Sequence, residues 1–158
     1  ALGLLYKQLK KDSTRSRMGI ADYVLVFRKP GDNAVPITHD ETHPLAALSN
    51  EDWISWARPI WYGIRESDTL NAAVARENDD ERHICPLQLG TIERCIRLWS
   101  NPGELVVSPF AGIGSEGYEA IRWGRRYHGI ELKPSYAKTA VANLRNAESM
   151  RLQGSLLV

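Results

Sequence analysis

The residues best suited to chemistry lie between Leu105 and Glu131, in the stretch LVVSPFAGIGSEGYEAIRWGRRYHGIE. Gly112, Gly114 and Gly117 follow an apolar run, and Glu131 closes the next one. Glycines there permit a sharp turn and let a ligand approach the backbone near a helix N-terminus. An acid ending the following strand can accept hydrogen bonds from two ribose hydroxyls. The pattern therefore fits an adenosine-type cofactor, with a purely structural turn as the other reading, because glycine spacing alone is weak. A dinucleotide fold has its glycine loop after its first strand and needs several more strands afterwards. The sequence after Glu131 has room for one helix and a tail, so a nicotinamide cofactor is not expected. Pro109 and Phe110 directly before the glycines are also unlike a dinucleotide turn. A phenylalanine there can pack against an adenine or methionine moiety.

Those residues need elements to hold them. LVV predicts a short buried strand, SPFAGIGS a loop, EGYEAIRWG a helix ended by Gly124, and RRYHGIEL a second strand. Together they form one β-α-β unit. Pro134 opens a last helix that carries Tyr136, Ala140, Val141 and Leu144 inward, and no clear pattern follows Glu148. Upstream, Leu87, Leu89, Ile92, Ile96 and Trp99 form a helical stripe, with Pro86 near its first turn. ALGLLYKQLKKD reads as the end of a helix, and ADYVLVFRKP as a strand halted at Pro30-Gly31. Residues 31–52 are polar, interrupted by Pro36 and Pro44, and read mostly as loop. WISWARPIWYGIRESDTLN has no decisive period, and ARENDDERH is a charged connection.

The 158 residues suffice for one domain with a real core, at 43% hydrophobic and 25% charged content. The net charge of +1 does not itself call for nucleic acid. Its distribution is more telling: Lys7, Lys10, Lys11, Arg15 and Arg17 cluster, opposed there only by Asp12. Such a cluster can follow a phosphate backbone or form a solvated helix face. Cys85 and Cys95 have neither disulfide-framework nor zinc-site spacing, so free thiols in a reducing compartment are expected. No apolar run has membrane-spanning length, so no membrane partner is expected. His39 and His43 flank Asp40 and Glu41, but Pro36 and Pro44 bracket them, which favours a polar loop over a metal helix. Trp53, Trp56, Trp61 and Tyr62, near Arg58 and Arg65, suit a core or interface more than a base-stacking platform.

The run SPFAGIGSEGYEAIRWGRRYHGIELKPSYAKTAVANL resembles the cofactor-binding end of the DNA amino-methyltransferases, in particular their phage- and prophage-type branch. The family pattern is Asp-Pro-Phe-x-Gly-x-Gly, a helix, Gly-x-Glu and a Tyr-containing helix. Pro109, Phe110, Gly112, Gly114, Gly129, Glu131 and Tyr136 match it. The similarity extends through HICPLQLGTIERCIRLWSNPGELV and LYKQLKKDSTRSRMGIADYVLVFRKPG, covering nearly the whole chain.

The resemblance implies an α/β fold: a partial, Rossmann-like S-adenosylmethionine-dependent methyltransferase sheet with helices, in permuted order. It implies a core helix and strand over residues 1–30, a loop-rich target-recognition segment over 31–82, a cofactor-binding β-α-β part over 83–148 and a tail over 149–158. S-adenosylmethionine would be the cofactor, lined by Phe110, Ala111, Gly112 and Gly114, with Glu131 holding the ribose. His83, Cys85, Pro86 and Leu87 would wall its methionine end. Lys10, Lys11, Arg15 and Arg17 would contact double-stranded DNA, in the cytoplasm of a bacterial or phage-infected cell. Ser108 stands where the family has Asp; it can accept a hydrogen bond from the cofactor's ammonium but supplies no charge. The family's Asp/Ser/Asn-Pro-Pro-Tyr/Trp tetrapeptide is absent, since the sequence has no Pro-Pro pair. The chain is thus expected to be the C-terminal part of such an enzyme, without catalytic residues of its own. The alternative is a non-catalytic homologue that binds cofactor or DNA. An incomplete sheet would also leave an edge on which a second copy can dimerise.

Overall fold

The computed structural model describes residues 10–12, 22–40, 42–71 and 86–155. The chain divides into two compact units, residues 1–32 and 33–158. In the first unit Lys10 and Lys11 are helical and exposed. The expected strand near residues 22–29 pairs with no described segment, and Tyr23, Leu25 and Phe27 are largely exposed. A β-prone run becomes a strand only where a neighbour completes its ladder.

The second unit holds the regular structure: α1 (Asn50–Trp56), α2 (Leu89–Trp99), β1 (Leu105–Ser108), α3 (Ser115–Arg122), β2 (Arg126–Gly129) and α4 (Pro134–Ser155). Helix α1 starts where Ser49 caps it: the Asp52 amide donates to Ser49 Oγ at 3.0 Å, and the Ser49 hydroxyl donates to Asp52 Oδ2 at 2.8 Å. The first bond satisfies an amide that the helix itself leaves open, and the second fixes the serine side chain in its capping position. Helix α2 has no side-chain cap; its Leu89 amide donates instead to the Asp68 carbonyl at 2.8 Å. It begins at Leu89, so Pro86 lies just ahead of the first turn. Helix α4 continues past Glu148 to Ser155, although the apolar period fades there.

Strands β1 and β2 run parallel, with Val106 opposite Tyr127 and Ser108 opposite Gly129. Because side chains alternate between faces, Val106 and Tyr127 turn together onto α2 and α3. They pack there against Ile92, Ile96 and Ala120, with Leu89 and Trp123 at the margin. Burying one Ile side chain contributes about 1.5–3 kcal/mol, so this cluster anchors the unit. Leu105 and Val107, on the opposite face, are about half exposed. Helix α4 lies along α3: Asn143 Nδ2 donates to the Ile113 carbonyl at 2.8 Å, and the Tyr118 hydroxyl to Met150 Sδ at 3.4 Å.

Residues 36–40 and 42–49 have no ladder and satisfy part of their backbone through side chains of the second unit. Asn101 Nδ2 donates to the Pro36 carbonyl, Arg125 Nη1 to that of Leu45, and Arg97 Nη2 to that of Ala47. Arg125 is buried, and its other donors reach the Ser100 hydroxyl and the carbonyls of Ser100 and Trp123. With carbonyls and a hydroxyl as its hydrogen-bond acceptors, its pKa falls to about 10, chiefly from burial and then from the Arg97 charge. Arg97 itself lies 3.8 Å above the Trp123 ring and 5.2 Å from that of Trp56. Trp61 stacks on Trp99, and its indole N–H donates to the Trp56 carbonyl at 2.7 Å. Trp56 and Trp61 thus serve packing, as expected of that cluster, whereas Trp53 and Tyr62 keep large exposed areas.

Candidate functional site: the glycine loop and its acid

The loop leaves β1 at Ser108, which is buried, and is fixed on both sides before α3 begins. The Ile130 amide donates to the Ser108 carbonyl, and the Ala111 amide to the Ile130 carbonyl, both at 2.9 Å. These bonds carry the β1–β2 pairing one step beyond the strands. The Gly114 amide then donates to the Ala111 carbonyl at 2.7 Å, closing the turn. Gly112 and Gly114 have φ of 53° and 85°, left-handed values that disfavour any side chain. Gly114 also caps α3, so the glycines set where the helix starts.

Glu131 is drawn into this loop. Its Oε2 accepts the Gly112 amide at 2.8 Å, and its Oε1 accepts the Lys133 amide at 2.8 Å. A carboxylate offers about four lone-pair positions, so two bonds fix its orientation and leave capacity for further donors. Phe110 stands 87% exposed beside it, with Leu132 and Ile130 also open to solvent. The ring leaves apolar surface open on a hydrogen-bonded loop.

Beneath the loop lies a group that the sequence reading passed over. The Tyr127 ring is wedged between two glycines: a Cβ on Gly117 would fall 2.5 Å from the ring, and one on Gly129 2.7 Å from the hydroxyl. The Tyr127 hydroxyl is buried without a hydrogen-bond partner. Its pKa is raised mainly by burial, with Ser108 opposing the rise and the Glu116 charge adding to it. Glu116, in the first turn of α3, is half-buried, and burial lifts its carboxyl above the ordinary range. The paired glycines 117 and 129 were the available signal, for each marks a place where a neighbour comes too close for a side chain.

The structure thus joins Ser108, Ala111, Gly112, Gly114 and Glu131 into one bonded loop, with Phe110 exposed upon it. Pro86 and Leu87 lead into α2, whose Ile92 and Ile96 pack with Ala120 of α3. His83 and Cys85 lie outside the described residues, as do Arg15 and Arg17, while Lys10 and Lys11 belong to the first unit. Cys95 is a free thiol that burial pushes up to about 11, so it is no nucleophile at neutral pH. Near His39 and His43, the Thr42 amide and hydroxyl donate to Asp40, which closes a turn. No group of metal-ligating side chains occurs among the described residues. No helix among them is long and apolar enough to cross a membrane.

A parallel β-α-β unit with a glycine turn at the strand end and an acid clamped to that turn defines a Rossmann-like, cofactor-binding α/β protein. The family follows from the sequence match: the DNA methylase model of the N6/N4 type covers residues 7–142, and the chain belongs to that family. It is 30% identical to the type II methyltransferase M.BglI of Bacillus subtilis over 139 residues, 84% of this chain and 34% of that protein. It is 38% identical to the DNA adenine methyltransferase YhdJ of Escherichia coli K12 over 64 residues, 40% of this chain and 22% of that protein. Among solved structures it is similar to TTHA0409 of Thermus thermophilus, complexed with S-adenosyl-L-methionine. That match has a TM-score of 0.56 and 31% identity, covering 77% of this chain and 41% of the other. The chain therefore spans about a third of M.BglI and two fifths of TTHA0409.

Proposed function

We propose that this chain forms the cofactor-holding part of an enzyme that methylates an exocyclic amino group of adenine or cytosine in double-stranded DNA, using S-adenosylmethionine. The observation that carries the reading is the Glu131 carboxylate, fixed by the Gly112 and Lys133 amides at the mouth of the glycine loop. The chemistry of the residues fits the group. Glu131 keeps lone pairs for two ribose hydroxyls, Phe110 offers an open ring for the adenine, and the loop backbone lets the ligand come close. His83, Cys85, Pro86 and Leu87 are assigned to the methionine end. Lys10, Lys11, Arg15 and Arg17 are assigned to DNA phosphates.

When bound, S-adenosylmethionine supplies an electrophilic methyl group. The residues of this chain hold and orient the donor, and such orientation is a large part of catalysis. Positioning the target amino group needs other residues, for the sequence has no Pro-Pro pair. That absence favours a second reading for the chain taken alone, binding without transfer.

Calorimetric titration with S-adenosylmethionine, S-adenosylhomocysteine and NAD tests the cofactor assignment. Binding of the two adenosyl-sulfur compounds without NAD supports it. Binding of NAD alone overturns it.

A further inference from the structure

We propose that the groove between α3 and α4, at the end of the sheet opposite the glycine loop, is a docking surface for an acidic, amphipathic segment of a partner protein. The groove encloses about 440 Å³. Ile121 of α3 with Val141 and Leu144 of α4 give it an apolar floor, and Arg126, Arg145 and Arg151 stand around them. It opens beside Arg126, where β2 begins, whereas the glycine loop follows the last residue of β1 and Glu131 lies past the last residue of β2. In a parallel pair those are opposite ends, so a segment seated here leaves the loop open.

The spacing along α4 builds the surface. Val141, Arg145, Glu148 and Leu152 recur at intervals of four, three and four, so they share one face of the helix. The buried residues of α4, Ala140 and Ala147, lie off that stripe. Val141 and Leu152 are each about half exposed, at the two ends of a stripe about 16 Å long. The charges beside them are unspent. Arg145 and Arg151 make no side-chain hydrogen bond or ion pair with the described residues, and Arg126 uses its Nε alone, on the Gly103 carbonyl at 2.9 Å. Glu148 is the single acid among the described residues lining the groove, against four arginines when the buried Arg125 is included. Guanidinium forks match carboxylates in bidentate pairs. An apolar floor beneath such a rim complements a polypeptide face that carries both acids and aliphatic side chains, the helix-in-groove mode of recognition. A nucleic-acid backbone would engage the arginines but leave the floor in water, and its target base must reach the opposite end of the sheet.

Fluorescence anisotropy on the full chain tests this with two labelled peptides of equal length and charge. One carries leucine and glutamate at helical spacing, and the other has serine for each leucine; duplex DNA is the third probe. The leucine peptide should bind more tightly than the serine peptide, and added salt should weaken it. The double variant Arg145→Glu, Arg151→Glu should weaken the leucine peptide about tenfold or more, the effect of losing charge-assisted bonds. The circular dichroism spectrum and the affinity for S-adenosylhomocysteine should not change. Val141→Asp should weaken the leucine peptide and leave duplex DNA unaffected. Equal binding of the two peptides, binding of neither, or a leucine peptide indifferent to the arginine variant would overturn the proposal. So would loss of duplex DNA alone in that variant, which gives the groove to nucleic acid, or loss of self-association in sedimentation, which gives it to a second copy.

Discussion

The Gly112 amide donates to Glu131 Oε2 at 2.8 Å, across nineteen residues of sequence and from the turn after β1 to the segment just past β2. With the Lys133 amide on the other oxygen, this bond sets the acid's orientation before any ligand arrives. A binding group fixed in advance loses less conformational freedom on binding. The β-α-β unit thus positions an acceptor, and the packing of α2, α3 and α4 holds that unit in shape.

The wedge of Tyr127 between glycines makes Gly117 a sensitive position. Alanine gains about 1 kcal/mol in helix propensity over glycine. Its Cβ, however, would lie 2.5 Å from an aromatic ring packed in the core. Overpacking of that kind costs about 1–3 kcal/mol. Gly117→Ala should therefore lower stability in urea unfolding. In a Tyr127→Ala background the same change should become neutral or stabilising, and additive losses would contradict the wedge.

Glu119 gives the fold a dependence on pH. It is fully buried, pairs with Arg122 at 2.6 Å and leaves Oε2 without a hydrogen bond. Burial raises its carboxyl pKa, Arg122 partly offsets the rise, and Glu93 adds to it. An acid with a raised folded pKa binds its proton better in the native state. The contribution of this group to stability is fully present below the ordinary carboxylate range and is lost as pH rises through the folded value. Glu116 acts with the same sign. Urea midpoints at about pH 5 and about pH 8 should differ less for Glu119→Gln than for the unaltered protein. An equal difference would remove Glu119 from the account.

The basic cluster makes a separate claim about DNA. Lys10 and Lys11 are exposed, and each phosphate contact adds about one unit to the slope of log affinity against log salt. The double variant Lys10→Ala, Lys11→Ala should bind duplex DNA more weakly and with a slope shallower by about 2. An unchanged slope would assign these lysines to solvated surface.

What could be read from the residues follows the range of the interactions that set them. The positions of the strand, glycine turn, helix and second strand were legible, because Gly112, Gly114 and Gly124 mark the breaks and the apolar periods are local. The first strand, expected to be buried, is buried on one face only, with Leu105 and Val107 half exposed. Helix α1 was not legible, since Pro59 and four large aromatic residues blur its period and Ser49 is its clearest signal. The run at residues 22–29 has strand composition, yet pairing depends on a partner that no local pattern names. Helix α4 outlasts its apolar stripe because Met150, Arg151, Leu152 and Gln153 favour helix on backbone grounds alone. In the site, Glu131 was legible from its spacing, whereas its bond to Gly112 was not. Tyr127 was passed over because its approach beneath Gly117 and Gly129 is set by tertiary packing.

The central claim is that Glu131 holds the cofactor at the glycine loop, and calorimetry with S-adenosylhomocysteine on Glu131→Ala tests it most directly. The account predicts an affinity loss of tenfold to about a hundredfold, the worth of charge-assisted bonds to ribose, in a protein that circular dichroism shows still folded. An affinity equal to that of the unaltered chain would contradict it.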